Sequence, residues 1–233
     1  MTARDRIFVA LDTADRDEAI GLARRLAGRV GGFKIGLTAF VSCGPPLVRE
    51  IRGMGHEVFL DLKLHDIPNT VEGAAAAAAA LDVQFLTVHA LGGGPMIARA
   101  VSACGVAPVV LAVTILTSHD DASLLALGID GPASAAVPRL AAIAREAGAG
   151  GVVCSPLEIA AARAAHPRGV IVVPGIRPEG KRRPDDQARV ATPSEALAAG
   201  ADRLVIGRPI TGAPDPAAAA DAIAEEIADV ARR

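Results

Sequence analysis

The chain has 233 residues, of which 51% are hydrophobic and 21% charged, a composition that excludes general disorder and allows a sizeable buried core. Its formal net charge of −2 gives no reason to expect nucleic acid or an anionic membrane as a partner. The three cysteines show no paired spacing, no apolar run is long enough to span a bilayer and no signal-peptide segment stands at the N-terminus, so we expect a cytoplasmic protein.

Short runs rich in β-branched residues alternate with alanine-rich runs along the whole chain, and this pattern predicts strands alternating with helices. The predicted strands are 7–11, 32–35, 57–63, 84–89, 108–116, 151–154, 170–173 and 203–206. The predicted helices are 15–27, 39–53, 70–82, 94–103, 133–147, 157–165, 193–199 and 214–232. Eight such pairs indicate an α/β protein, a single (β/α)₈ barrel (TIM barrel) formed as one domain by residues 1–233.

Strand order cannot be read from a sequence, so a doubly wound parallel sheet is the alternative architecture. No Gly-x-Gly-x-x-Gly follows the first predicted strand, which argues against a dinucleotide-binding version of that sheet. Only 2% of the residues are aromatic, with no Trp or Tyr, and we therefore expect a core built from Ala, Val, Leu and Ile.

The third predicted strand ends in an unusual concentration of charge, with four ionisable side chains in six residues: Asp61, Lys63, His65 and Asp66. Burying unpaired charge is costly, so a fold that concentrates charges at the end of a buried strand is expected to use them. On a regular strand Phe59, Asp61, Lys63 and His65 share one face, and Val58, Leu60, Leu62 and Leu64 share the other. We predict that Asp61 and Lys63 point together into the barrel mouth, with a purely structural ion pair as the alternative.

Polar residues also stand at the ends of other predicted strands, where the active sites of (β/α)₈ enzymes lie. They are Asp12, Lys34, His89, Thr117, Arg177 and Arg208, the last of which follows Gly207. Lys34 is on the neighbouring strand and can reach Asp61. Asp66 can reach Lys63 from the loop or, alternatively, cap the following helix. We expect hydrogen-bonding structural roles for His65 and His89, because two histidines without matching acids make a poor metal site.

The last two strand ends suggest a phosphate site. In this fold the loops after strands seven and eight commonly bind phosphate through backbone N–H groups. Gly207 allows close approach of the backbone, and Arg177 and Arg208 supply guanidinium groups. Residues 178–190 are polar and basic, and they suggest either a lid that brings Gln187 to a ligand or an ordinary loop.

Taken together, these residues resemble the orotidine 5′-phosphate decarboxylase family over nearly the whole chain. The resemblance rests on Val9-Ala10-Leu11-Asp12, Phe33-Lys34-Ile35-Gly36, the block from Asp61 to Thr70, Leu116-Thr117-Ser118, Pro174-Gly175-Ile176-Arg177-Pro178, Asp185-Asp186-Gln187-x-Arg189 and Val205-Ile206-Gly207-Arg208-Pro209-Ile210. Asp-x-Lys-x-x-Asp alone is shared with a wider group of phosphate-sugar barrels, but its combination with Lys34 and Gln187 is specific.

The resemblance implies decarboxylation of orotidine 5′-phosphate to UMP without a metal or an organic cofactor. It further implies a charge array of Lys34, Asp61, Lys63 and Asp66, with Lys63 as proton donor. Asp12 and Lys34 would contact the ribose, and Thr117 would contact the base. Gln187 would bridge the base and the phosphate, which Arg177, Gly207 and Arg208 would hold. In the family Asp66 and Thr70 reach into the partner subunit's site, so the resemblance implies a homodimer with shared active sites.

Two rival functions follow from the same residues. The first is a metal-dependent decarboxylase or aldolase acting on a sugar phosphate, whose members place an acid where this chain has Lys34. The second is a catalytically silent barrel that only binds a phosphorylated nucleotide, although a binder has no need of the Asp61 and Lys63 pair.

Overall fold

A computed structural model describes residues 1–178 and 190–232, with side chains as far as residue 229. The strands in this part of the chain are β1 (Ile7–Leu11), β2 (Gly32–Gly36), β3 (Glu57–Leu64), β4 (Phe85–His89), β5 (Val109–Val113), β6 (Gly151–Val153), β7 (Val170–Val173) and β8 (Arg203–Ile206). The α-helices are α1 (Arg16–Arg25), α2 (Leu37–Gly53), α3 (Pro68–Ala79), α4 (Gly93–Cys104), α5 (Asp121–Ala126), α6 (Ala133–Glu146), α7 (Ile159–Ala165), α8 (Pro193–Ala198), α9 (Arg208–Thr211) and α10 (Pro216–Arg232). None of these helices is long and apolar enough to cross a membrane.

The strands form a closed parallel barrel in sequence order. Each strand pairs with the next, and β8 returns to pair with β1 through Ile7 opposite Leu204 and Val9 opposite Ile206. Closure removes the edges that a doubly wound sheet would leave, so the alternative architecture is wrong and the (β/α)₈ barrel is confirmed.

The predicted elements are all present, and the largest differences lie after β5. That strand ends at Val113 rather than at residue 116, because the following apolar residues leave the sheet; Ile115, for example, lies in the cavity wall. The short helix α5 was not predicted, although Asp120 accepts a hydrogen bond from the backbone N–H of Ser123 at 2.8 Å and so caps it. The four-residue helix α9 was also missed.

The core has two parts, one on each side of the barrel wall. The larger part lies between the strands and the helices and is mostly aliphatic, with Phe33 as its buried aromatic residue; Val58 and Leu60 of β3 belong to it. The smaller part fills the barrel interior and contains Phe8, Phe59 and Phe85, whose ring centroids are 5.6 to 6.2 Å apart in edge-to-face pairs. The expectation of a wholly aliphatic core is therefore wrong, most clearly inside the barrel, where three large rings fill the lumen beneath the site.

Candidate active site

A cavity of about 740 Å³ opens at the carboxyl ends of the strands, above the phenylalanine rings. Its lining includes eight residues that the sequence singled out, namely Asp12, Lys34, Asp61, Lys63, Thr117, Arg177, Gly207 and Arg208. Asp66 and Thr70 do not line it, and Gln187 lies outside the described residues. The sequence therefore identified, from their positions at strand ends, side chains that meet in one cavity although they are as far apart in the chain as Asp12 and Arg208, 196 positions.

Lys34, Asp61 and Lys63 form a continuous charged array with Asp12 on one side of the cavity mouth. The Lys63 ammonium lies 2.8 Å from Asp61 Oδ2, and the Lys34 ammonium lies 3.6 Å from the same oxygen. Lys34 also donates a hydrogen bond to Asp12 Oδ1 at 3.0 Å. Only 11% of the Lys34 side chain and 12% of the Asp61 side chain are exposed, so these charges act with little screening by water.

The array keeps the Asp61 carboxyl ionised. Burial by itself would raise the pKa of this group, but the ammonium groups of Lys34 and Lys63 outweigh that effect and hold the pKa below its usual value. Asp61 is therefore a carboxylate at neutral pH, fixed between two cations at the floor of a cavity.

Gly36 leaves room for the pair between Lys34 and Asp12. A Cβ atom at position 36 would lie 2.7 Å from Lys34 Nζ and 3.2 Å from Asp12 Oδ1. Such an atom would displace the ammonium from its place in the array. The glycine that ends β2 therefore leaves this space to the Lys34 ammonium, while its own φ of −92° is one that any residue adopts.

β3 is irregular at the point where it carries the site. Its pairing with β4 shifts between Leu60 and Leu64, and Lys63 adopts a positive φ of 50°, which is uncommon for a residue with a side chain. Asp61 and Lys63 both line the cavity as predicted, but the premise of a regular strand with strict alternation is wrong. His65 consequently lies outside the cavity lining.

The two histidines at the ends of β3 and β4 stack on one another, with ring centroids 5.4 Å apart and an angle of 18° between the planes. His89 Nδ1 accepts a hydrogen bond from the backbone N–H of Leu91, which supports the structural role expected for it. Burial, and then the neighbouring His65 and Lys63, lower the pKa of His89 to about 4, so its ring is neutral at physiological pH.

Asp66 and Thr70 are exposed beside the cavity rather than within it. Among the described residues Asp66 forms no ion pair, so the expected contact with Lys63 is not made inside the subunit; its carboxylate accepts a hydrogen bond from the backbone N–H of Ile67 at 2.6 Å. The alternative role as a helix cap is wrong as well, because Ile67 occupies the N-cap of α3 and no side chain caps it.

The opposite side of the mouth is built from the ends of β7 and β8. Gly175 has a positive φ of 78°, and the backbone around Ile176 pairs with Ala191 through hydrogen bonds of 2.9 and 3.3 Å. These bonds fix Arg177, which lines the cavity. Gly207 occupies the N-cap of α9, which places Arg208 at the start of that helix.

Thr87 on β4 is the residue of the site that the sequence reasoning missed. Its hydroxyl donates a hydrogen bond to Asp61 Oδ1 at 2.9 Å and accepts one from the backbone N–H of Lys63 at 2.8 Å. Strand alternation could have found it, because Phe85 two positions earlier points into the barrel and Thr87 shares its face.

Charged side chains gathered at the carboxyl ends of parallel barrel strands are the arrangement of a (β/α)₈-barrel enzyme. Within that class, the chain belongs to the Orotidine 5'-phosphate decarboxylase / HUMPS family, whose model matches residues 5–223. The resemblance drawn from the sequence is confirmed.

Individual relatives agree with the family. The chain is 56% identical over 225 residues to orotidine 5'-phosphate decarboxylase from Anaeromyxobacter sp. (strain K), an alignment that covers 96% of this chain and 99% of the relative. It is 52% identical to the enzyme of that name from Moorella thermoacetica, with 97% and 94% of the two chains covered. Among solved structures, orotidine 5'-phosphate decarboxylase from Lactobacillus acidophilus superposes with a TM-score of 0.82 at 38% identity, covering 95% of this chain and 98% of that one.

Proposed function

We propose that this protein decarboxylates orotidine 5′-phosphate to UMP and CO₂, the last step of pyrimidine nucleotide synthesis. The observation that carries the proposal is the Lys34–Asp61–Lys63 array at the mouth of the barrel. It is supported by the relatives of this chain, which are named as that enzyme. A cytoplasmic location is part of the proposal and rests on the composition and the biosynthetic role of the family.

The reaction explains why the site needs fixed charges. Loss of CO₂ breaks the bond from C6 to the carboxyl carbon and leaves the electron pair in an sp² orbital that is orthogonal to the ring π system. The ring therefore offers no conjugated sink, and the developing carbanion must be stabilised by nearby positive charge. Lys63 supplies that charge and then donates its proton to C6, after which solvent reprotonates the amine.

The remaining residues bind and orient the nucleotide in this proposal. Asp12 and Lys34, which already contact each other at 3.0 Å, hold the ribose hydroxyls, and Thr117 contacts the base. Arg177, Gly207 and Arg208 hold the phosphate, with Gln187 as the bridge from base to phosphate. Phosphate binding is remote from C6, yet its binding energy can organise the charges around the reacting carbon.

Ultraviolet absorbance on mixing the purified protein with orotidine 5′-phosphate tests the proposal. We expect rapid conversion to UMP, with the same rate after treatment with EDTA and after subsequent addition of Mg²⁺. Failure to form UMP would reject the decarboxylase function. Loss of activity in EDTA and its recovery with Mg²⁺ would favour the metal-dependent rival instead.

The position of Lys34 favours the metal-free reaction over that rival. Its ammonium group lies between Asp12 and Asp61, within 3.0 and 3.6 Å of their oxygens, and so occupies the space in which those carboxylates would share a cation. A site that placed a metal there would have to expel a buried, paired lysine.

Replacing Arg208 tests the phosphate end of the site. We expect Arg208→Ala to weaken the binding of UMP by roughly 10- to 100-fold, the loss of one charge-assisted contact to phosphate, and to leave the binding of uridine unchanged. Isothermal titration with the two ligands separates phosphate from base and ribose. Arg168→Ala is the matched control, because Arg168 is exposed and lies before β7, at the opposite end of the barrel. Unchanged affinity for UMP in Arg208→Ala would remove Arg208 from the phosphate site.

We also propose that the protein is a homodimer in which Asp66 and Thr70 complete the partner's site. Asp66 has no ion-pair partner in its own subunit among the described residues. Four large apolar side chains are exposed just after β2, β3 and β4, which are neighbours in the barrel: Leu37, Val41, Ile67 and Leu91, with 44–79% of each accessible. Exposed apolar side chains after three neighbouring strands, together with an unpaired carboxylate after one of them, are the expected character of a surface that a second subunit covers.

A further inference from the structure

The pairing of β3 with β4 contains extra residues where β3 carries its catalytic groups. Leu60 pairs with Leu86 and Leu64 pairs with Val88, so three residues of β3 stand opposite one residue of β4. A bulge of this kind takes backbone N–H groups out of the regular ladder, and a buried N–H needs another acceptor. The single residue opposite the bulge is Thr87.

Thr87 meets that need with its side chain. Its hydroxyl oxygen accepts the hydrogen bond from the backbone N–H of Lys63 at 2.8 Å, and its hydroxyl hydrogen is donated to Asp61 Oδ1 at 2.9 Å. One hydroxyl can make both bonds at once, because it carries one donor and two acceptor lone pairs. The residue is completely buried, so water cannot replace either bond.

We propose that Thr87 is a positioning residue for the decarboxylation, holding the Lys63 backbone and the Asp61 carboxylate in the one arrangement that aims the Lys63 ammonium at the substrate. The inference rests on the proposed function, and it concerns a residue that does not line the cavity itself. Thr87 therefore acts through Lys63 and Asp61, not by touching the nucleotide.

The backbone of Lys63 gives the first reason for this role. A positive φ of 50° is strained for lysine and persists only when surrounding contacts impose it. The bond from Lys63 N–H to Thr87 is such a contact, and it fixes the direction in which the side chain leaves the strand. Without it the residue is free to relax toward extended geometry, which redirects the ammonium group.

The Asp61 carboxylate gives the second reason. Its Oδ2 faces both lysines, at 2.8 and 3.6 Å, while Oδ1 accepts its hydrogen bond from Thr87. Removing the hydroxyl leaves Oδ1 buried without that donor, so the carboxylate is expected to rotate and draw an ammonium toward the vacant side. Burial already acts to raise the pKa of Asp61, and the hydroxyl, together with the two lysines, opposes it.

The test compares Thr87→Val, which keeps the shape but loses the hydroxyl, with Thr87→Ser, which keeps the hydroxyl. In single-turnover assays over a range of protein concentrations we expect Thr87→Val to lower the rate constant for decarboxylation by roughly 30- to 100-fold, with the half-saturation concentration changed less than about threefold, since geometry rather than substrate binding is lost. Thr87→Ser should stay within about fivefold of the unmodified protein. If Thr87→Val does not fold, the ratio of the rate constants of Thr87→Ser and Thr87→Ala provides the same comparison.

Thr114→Val is the matched control, because Thr114 is also completely buried and its hydroxyl donates to the backbone carbonyl of Val153 at 2.9 Å, away from Asp61 and Lys63. It should lose stability without a comparable loss of rate. The acidic limb of the profile of kcat/KM against pH should move to higher pH in Thr87→Val and not in Thr114→Val, since only the former removes a bond to the Asp61 carboxylate.

A measurement that does not depend on activity separates this inference from the proposed function. Carbon-13 NMR titration of the aspartate carboxyls should show a higher pKa for Asp61 in Thr87→Val than in the unmodified protein, even if orotidine 5′-phosphate proves not to be the substrate. A rate within threefold of normal in Thr87→Val, an unshifted Asp61 carboxyl, or a Thr87→Ser variant as slow as Thr87→Val would each overturn the positioning role.

Discussion

Lys63→Ala should lower kcat for decarboxylation by roughly 10⁴-fold or more, because in the proposed reaction the substitution removes both the proton donor and a charge that stabilises the carbanion. A loss of that size corresponds to about 5 kcal/mol of transition-state stabilisation. The barrel should remain folded, since the Lys63 side chain lines the cavity and belongs to neither part of the core. Stopped-flow or long-time absorbance assays give the rate, and circular dichroism checks the fold.

Lys63→Arg is the matched variant for this experiment. It keeps a positive charge next to Asp61, but a guanidinium group does not give up its proton at any physiological pH. We expect it to retain UMP binding and to remain severely slowed. Activity of Lys63→Ala within tenfold of the unmodified protein would rule out the proposed role of Lys63, whatever the arginine variant does.

A heterodimer of Lys63→Ala and Asp66→Asn subunits should regain about half of the normal activity, although each variant alone is nearly inactive. If Asp66 serves the partner's site, one of the two sites in this heterodimer combines an intact Lys63 with an intact Asp66. Co-expression with two different affinity tags and tandem purification isolates the heterodimer for the absorbance assay.

The reciprocal heterodimer provides the control. One subunit carries both Lys63→Ala and Asp66→Asn, and the other carries neither, so the number and type of substitutions are the same. With shared sites neither site is complete and activity should be lost; with self-contained sites one is complete and half the activity should remain. Activity in this control, or the absence of any co-purifying heterodimer, would contradict the proposed dimer.

The sequence predicted the fold class because its signals are local. β-Branched and alanine-rich runs indicated all eight strands and every α-helix except α5 and α9, and eight alternations leave few ways to bury both faces of a parallel sheet. The local pattern gave a wrong strand end where apolar residues continued beyond the strand. Ile115 looked like the continuation of β5, but it packs in the cavity wall after the strand has ended.

The strand-end rule likewise assembled most of the candidate site. Asp12 follows β1, and Lys34, Asp61 and Lys63 lie in the carboxyl-terminal parts of β2 and β3, which a closed parallel barrel brings to one rim. The positions of these residues relative to the predicted strands were therefore enough to predict that their side chains lie close together. The predicted approach of Lys34 to Asp61 is found, but the sequence did not predict that Lys34 also contacts Asp12, which depends on side-chain reach and on the room left by Gly36.

The sequence by itself thus determined the alternation of strands and helices, the family and the identity of the charged groups at the mouth, while closure of the strands into a barrel was seen only in the structure. Only the tertiary structure decided how Asp61 and Lys63 are held, because the shift between β3 and β4 and the bonds from Thr87 join residues that are 24 and 26 positions apart. Strand register and cross-strand hydrogen bonds depend on both strands of a pair. The sequence of one strand therefore does not determine which residue lies opposite each of its positions.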